Sequence, residues 1–198
     1  MRHEYAGVRW AWPLFAGALL VASNTALAGE AERLWSALAE GGKVVMIRHA
    51  APEEASAEVS MNLAGDGNCD SEQNLTDAGR DQARALGALF RKHGVTVAAV
   101  LTSEFCRARE TAELAFGNAE RWSALNLVES MPADDAEFRM EDARERIGDF
   151  EGEGVLVMVT HRGNINTITF KQTEPGDVVV VAPEGVGSFT VLGMIPAP

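Results

Sequence analysis

Three short apolar runs punctuate the chain: Val44–Ile47, Val97–Leu101 and Val155–Val159. Each is continuous rather than alternating, and most are rich in β-branched residues. That pattern predicts strands buried on both faces, as in a parallel sheet. Between the runs, apolar positions fall three and four apart. Leu34, Trp35 and Leu38 share one face of a helix over 30–40, ended by Gly41-Gly42. Ala83, Leu86, Leu89 and Phe90 stripe a second helix, with Thr76 as its N-cap and Gly94 at its exit. A third runs from Arg107 to Phe116 and stops at Gly117-Asn118.

The later chain is less regular. Leu125, Leu127 and Val128 suggest a short strand, and Pro132–Asp135 a turn. Residues 137–150 read as a helix with Phe138, Met140, Ile147 and Phe150 towards the core, and Ile165, Ile168 and Phe170 suggest a short one. Residues 177–182 and 188–192 read as closing strands, antiparallel neighbours joined at Pro183-Glu184-Gly185. Residues 51–73 have no periodicity and form a long loop or partly helical insert. It leaves the carboxyl end of the first strand, where it would wall or cover a site. Strands alternating with helices predict a three-layer α/β/α sandwich with a mostly parallel central sheet. The length suits one domain over 29–198, and no internal repeat is visible.

The first 28 residues stand apart. Arg2 and Arg9 precede an uncharged stretch containing Leu14–Ala22, and Ala26-Leu27-Ala28 follows. A basic region, a short apolar region and an Ala-x-Ala site describe a secretory signal peptide cleaved after Ala28. The apolar part is short for a membrane span, so no stable span is expected in the mature chain. Export predicts a periplasmic or secreted protein, and an oxidising compartment permits Cys69 and Cys106 to pair.

Charge narrows the partners. The formal net charge is −12, and losing Arg2, Arg9 and Glu4 with the leader moves it to −13. No basic cluster stands out, which argues against nucleic acid and anionic membrane surfaces. A phosphorylated substrate would need a local basic pocket set against this field. The three predicted buried strands end in suitable groups: Arg48-His49, Thr102-Ser103 leading to Arg107, and His161. Ligands in open α/β sheets bind beyond the carboxyl ends of strands. If the strands are parallel neighbours, two histidines and two arginines converge there. Arg107, in the first turn of its helix, would share the anion with unpaired backbone N–H groups. An imidazole can attack phosphorus while guanidinium groups hold the non-bridging oxygens, with no metal or cofactor required. His93 matches none of this and reads as a helix-end cation.

These residues carry a family likeness. Arg48-His49-Ala50 resembles the Arg-His-Gly/Ala signature of the histidine phosphatase superfamily, the phosphoglycerate-mutase-like fold. Leu75-Thr76-Asp77-Ala78-Gly79-Arg80 with Gln82-Ala83 is similar to its Leu-Thr-x-x-Gly-x-x-Gln-Ala helix start. Ser103–Ala112 resembles its Ser-x-x-x-Arg-Ala-x-x-Thr-Ala segment, and Val157–His161 the strand delivering its second histidine. The motifs occur in family order across residues 44–170.

The resemblance implies that His49 is the phosphorylated nucleophile and that Arg48, Arg107 and His161 complete the phosphate pocket. It implies a general acid near Leu127-Val128-Glu129. Glu129 is the candidate, with Asp134, Asp135 and Glu137 as rivals, because the usual surroundings of that acid are missing. Export and the cysteine-bearing insert look closest to small phosphohistidine-phosphatase-like members, among them envelope phosphatases proposed to act on lipopolysaccharide heptose phosphate. The expected function is a metal-independent phosphomonoesterase acting on a small phosphorylated substrate. The alternative is a phosphate-binding or envelope-interaction module that kept the pocket without efficient acid catalysis.

Overall fold

A computed structural model describes residues 18–55, 63 and 68–198, with the backbone alone for 18–28. The basic start of the expected leader and the middle of the 51–73 insert lie outside the described residues. Five helices and six strands are present among the described residues: α1 (Ala18–Ala39), β1 (Lys43–Arg48), α2 (Asp77–Lys92), β2 (Val97–Thr102), α3 (Cys106–Phe116), β3 (Glu120–Arg121), α4 (Ala133–Gly148), β4 (Val155–Thr160), α5 (Arg162–Thr169), β5 (Val178–Gly185) and β6 (Ser188–Ile195). No described helix is long and apolar enough to cross a membrane.

The strands form one sheet in the order β3-β2-β4-β1-β5-β6. β1, β4, β2 and β3 run parallel, while β5 pairs antiparallel with both β1 and β6. The continuous apolar runs are explained by burial on both faces. Val45, Ile47, Val155, Val157 and Val159 pack with Leu34, Trp35, Leu38, Leu86, Phe90, Ala108 and Ala112 of α1, α2 and α3. Val44, Met46, Leu156 and Met158 face Met140, Ala143, Ile147, Ile165 and Ile168 of α4 and α5. Alternate residues of one strand thus serve opposite layers, which gives the expected α/β/α sandwich.

Several local expectations need correction. α1 begins at Ala18, not near residue 30. Its first part is rich in Ala and Leu around Ser23-Asn24-Thr25, and Ala and Leu favour helix without any amphipathic period. Leu125 and Val128 belong to 3-10 turns over Ser123–Leu125 and Val128–Ser130, and the short strand is β3 instead. Pro132 caps α4, so Asp134 and Asp135 lie in a helical first turn, where acids suit the dipole. Phe138 is 68% exposed and Phe170, at the left-handed C-cap of α5, is 86% exposed, so neither is core. The hairpin turn is Val186-Gly187, both at positive φ, with Pro183–Gly185 inside β5. His93 ends α2 and stacks on Trp35 at 4.6 Å.

α2 and α3 touch at Gly87, where a Cβ would run into the carbonyl of Ala115. Gly→Ala inside a helix ordinarily stabilises by up to about 1 kcal/mol. Here the sign is expected to reverse: Gly87→Ala should destabilise by about 1–3 kcal/mol through overpacking. Urea denaturation of the two proteins measures this, and a stabilised variant would contradict the packing described.

Candidate active site

The sheet register brings the expected residues together. Arg48 pairs across from Thr160, and Thr102 from Val159, so β1, β2 and β4 end at one level. The ladder continues one step further: His49 N–H donates to Thr160 O (3.0 Å) and Ser103 N–H to Val159 O (3.0 Å). His49, Ser103 and His161 therefore meet at the crevice. Arg48, His49, Arg107, His161 and Glu129 line a single cavity of about 390 Å³, with Pro52, Gln73, Leu127, Arg162 and Gly163.

Motif residues outside the cavity fix the chain leaving His49. Thr111 Oγ1 accepts from Ala50 N–H (3.0 Å) and donates to Arg107 O (2.7 Å). Gln82 Oε1 accepts from Ala51 N–H (3.0 Å), while its amide donates to Pro175 O (3.0 Å). Thr76 N–H donates to Ala51 O, and Gly79 packs against the same carbonyl where a side chain would not fit. The Leu-Thr-x-x-Gly-x-x-Gln and Arg-Ala-x-x-Thr patterns are thus clamps on the two residues after His49.

Each ring and guanidinium has a defined state. His49 Nδ1 lies 2.9 Å from Ala50 O. A carbonyl only accepts, so Nδ1 carries the proton and Nε2 presents its lone pair. Arg107 Nε donates to that Nε2 (3.3 Å), and its Nη2 donates to His161 Nδ1 (3.3 Å). His161 Nε2 then carries the proton and donates to Ser103 Oγ (2.9 Å). Ser103 Oγ–H donates to Asn126 Oδ1 (3.1 Å), and Oγ accepts from Phe105 N–H (3.2 Å). In this arrangement His161 orients Arg107 rather than offering a second donor to the cavity. Burial, followed by the Arg107 charge, pushes His49 down to about 3. Burial, followed by His49 and Arg107, pushes His161 well down.

Arg107 is only 2% exposed. Its guanidinium lies over the Phe105 ring at 4.8 Å and Arg48 Nη1 donates to Thr173 O (2.6 Å). Among the described residues, Arg107 Nη1 and Arg48 Nε are buried donors with no partner. Two unpaired cationic N–H groups beside a histidine lone pair form a site for an anion's oxygens.

Three of the first four N–H groups of α3 are already taken within the protein. Glu72 Oε2 takes the Cys106 N–H (2.7 Å), and the Ala108 and Arg109 N–H groups are bonded to Phe105 O. Glu72 is 3% exposed, and its charge is the chief influence holding the Arg107 pKa up against burial. Sequence reasoning missed it, because an acid in an aperiodic loop carries no pattern. The Cys69–Cys106 disulfide forms as expected and ties that loop to the helix. Of the rival acids only Glu129 reaches the cavity: its carboxylate lies directly over Gly163, where a Cβ would collide with it. Asp134 and Asp135 are exposed on α4, and Glu137 lines a separate neighbouring cavity.

Residues 44–127 match the sequence profile of the histidine phosphatase superfamily, branch 1. No curated protein matches. Among solved structures, the fold is shared with the protein histidine phosphatase SixA complexed with tungstate (15% identity, TM-score 0.53, covering 78% of this chain and 96% of that one). It is also shared with a putative alpha-ribazole-5'-P phosphatase from Escherichia coli (18%, 0.56, 76% and 94%). A phosphoglycerate mutase from Thermus thermophilus is similar too (18%, 0.53, 79% and 99%). At these identities the likeness is one of fold.

The buried neutral histidines have a cost in acid. With a folded-state value of about 3 against 6.5, the unfolded chain binds more protons between those limits, so stability falls as pH drops through that window. At pH 5 the share from His49 is about 2 kcal/mol. Urea denaturation at pH 7 and pH 5 should show this loss, and His49→Asn should lose less. Equal losses in both proteins would contradict a neutral, buried His49.

Proposed function

We propose that the chain is a member of the histidine phosphatase superfamily, whose profile residues 44–127 match, and that it is a phosphomonoesterase working through a phosphohistidine on His49. The observation that carries this reading is the pair of buried, unpartnered guanidinium donors, Arg107 Nη1 and Arg48 Nε, in the cavity shared with His49. His49 Nε2 attacks phosphorus in line, and the N–P bond forms as the ester P–O bond breaks. The hydrogen bond from Arg107 Nε to Nε2 yields to a phosphate oxygen as the substrate enters. Arg107 and Arg48 hold the non-bridging oxygens, where charge must be stabilised in the transition state. His161 keeps Arg107 aimed. Glu129 gives its proton to the leaving oxygen. Its carboxylate then takes a proton from water, whose oxygen attacks phosphorus and breaks the N–P bond. Phosphate leaves and both groups return to their starting states. No step asks for a metal ion.

The N-terminal pattern and the paired cysteines support export with cleavage after Ala28, because disulfides persist in oxidising compartments. N-terminal sequencing of the protein from the periplasmic fraction should begin at Gly29. An intact Met1 on a cytoplasmic protein would overturn this part.

Hydrolysis of phenyl phosphate in the presence of chelator tests the chemistry. His49→Ala should abolish it. Glu129→Gln should slow phenyl phosphate turnover by about 10²–10⁴-fold, and should slow p-nitrophenyl phosphate, whose leaving group needs less protonation, by much less. Equal losses on both substrates would remove Glu129 as the proton donor. Full activity in His49→Ala would end the phosphohistidine reading.

A further inference from the structure

Arg162 has no place in the chemistry above. It opens α5 directly after His161 and lines the same cavity as His49, Arg107 and Glu129. The other two arginines there are compensated. Arg48 is held by Thr173 O and lies 4.0 Å from Glu174, while Arg107 is backed by the buried Glu72. Arg162 is exposed, and among the described residues its side chain has no hydrogen bond and no acidic partner within 4 Å. It is also misplaced for stability: a cation in the first turn of a helix opposes the dipole, and its charge acts repulsively on Arg48. In a chain of net charge −12, no acid among the described residues forms an ion pair with it.

We propose that Arg162 reads a second anionic group on the substrate's leaving portion, so that the preferred substrates are phosphomonoesters carrying a carboxylate or a further phosphate. This rests on the phosphatase reading and narrows its substrate class. Position supports it. The Glu129 carboxylate, the proposed donor to the leaving oxygen, packs onto Gly163, the residue next to Arg162. Arg162 therefore flanks the leaving-group side of the cavity, while Arg48 and Arg107 supply the unpaired buried donors for the phosphoryl group. The bound second anion would satisfy the guanidinium, relieve its repulsion of Arg48 and suit the α5 N-terminus.

Calorimetric binding of non-hydrolysable phosphonates to the intact, disulfide-bonded protein separates this from the reading beneath it. The probes are phenylphosphonate and its 3- and 4-carboxylated forms, with wild type, Arg162→Ala and Arg162→Lys. We expect at least one carboxylated probe to bind wild type about fivefold more tightly than phenylphosphonate, the scale of an exposed ion pair. Arg162→Ala should erase that ratio, Arg162→Lys should keep part of it, and added salt should shrink it. Phenylphosphonate binding with no carboxylate preference, or a preference that survives in Arg162→Ala, overturns the role of Arg162 and leaves the phosphate site standing. Failure of every probe to bind overturns both.

Discussion

A guanidinium buried almost out of reach of water sets the terms for this structure. Burying an unpaired charge costs several kcal/mol, so the chain surrounds Arg107 with groups that keep it charged and aimed. The lone pairs of His49 and His161 accept from it, the Phe105 ring lies beneath it, and Glu72 supplies the opposite charge from behind. Each of these partners is itself held. Ser103 and Asn126 fix the His161 tautomer, the Ala50 carbonyl fixes that of His49, and a disulfide ties the Glu72 loop to α3. Among the described residues the Arg107 Nη1 group has no partner, and Arg107 lines the cavity that holds His49.

The same neighbourhood resolves a conflict between local field and global charge. The protein is strongly acidic, yet the cavity gathers three arginines and one acid from its lining. Two features set the charge around the cavity. Both histidines are held neutral, which leaves a nucleophilic nitrogen at ordinary pH. The intrinsic anion site at the start of α3 is already taken by Glu72, an internal acid whose charge supports Arg107 rather than competing at the cavity mouth.

Much of this was legible in one dimension. Continuous apolar runs flanked by helical stripes carry the layer architecture, because a strand buried on both faces admits no polar alternation. Polar residues immediately after those runs mark the crevice, since parallel strands present their carboxyl ends together. What failed were segments whose structure depends on neighbours. Leu125 and Val128 look like strand residues, but the edge position beside β2 is occupied by β3, leaving them in 3-10 turns. Phe138 and Phe170 fit a helical stripe by identity and still face solvent.

The sequence by itself determined the sandwich, the order of its elements, and the quartet Arg48, His49, Arg107 and His161, because periodicity and strand-end position are local properties. Tertiary structure decided where the carboxylates stand. The family likeness marked Glu129 only as one candidate among neighbouring acids, and nothing in the sequence marked Glu72, an acid in an aperiodic segment. Only folding buries Glu72 behind Arg107 and lays Glu129 over Gly163, since burial and charge pairing arise between residues far apart in the chain.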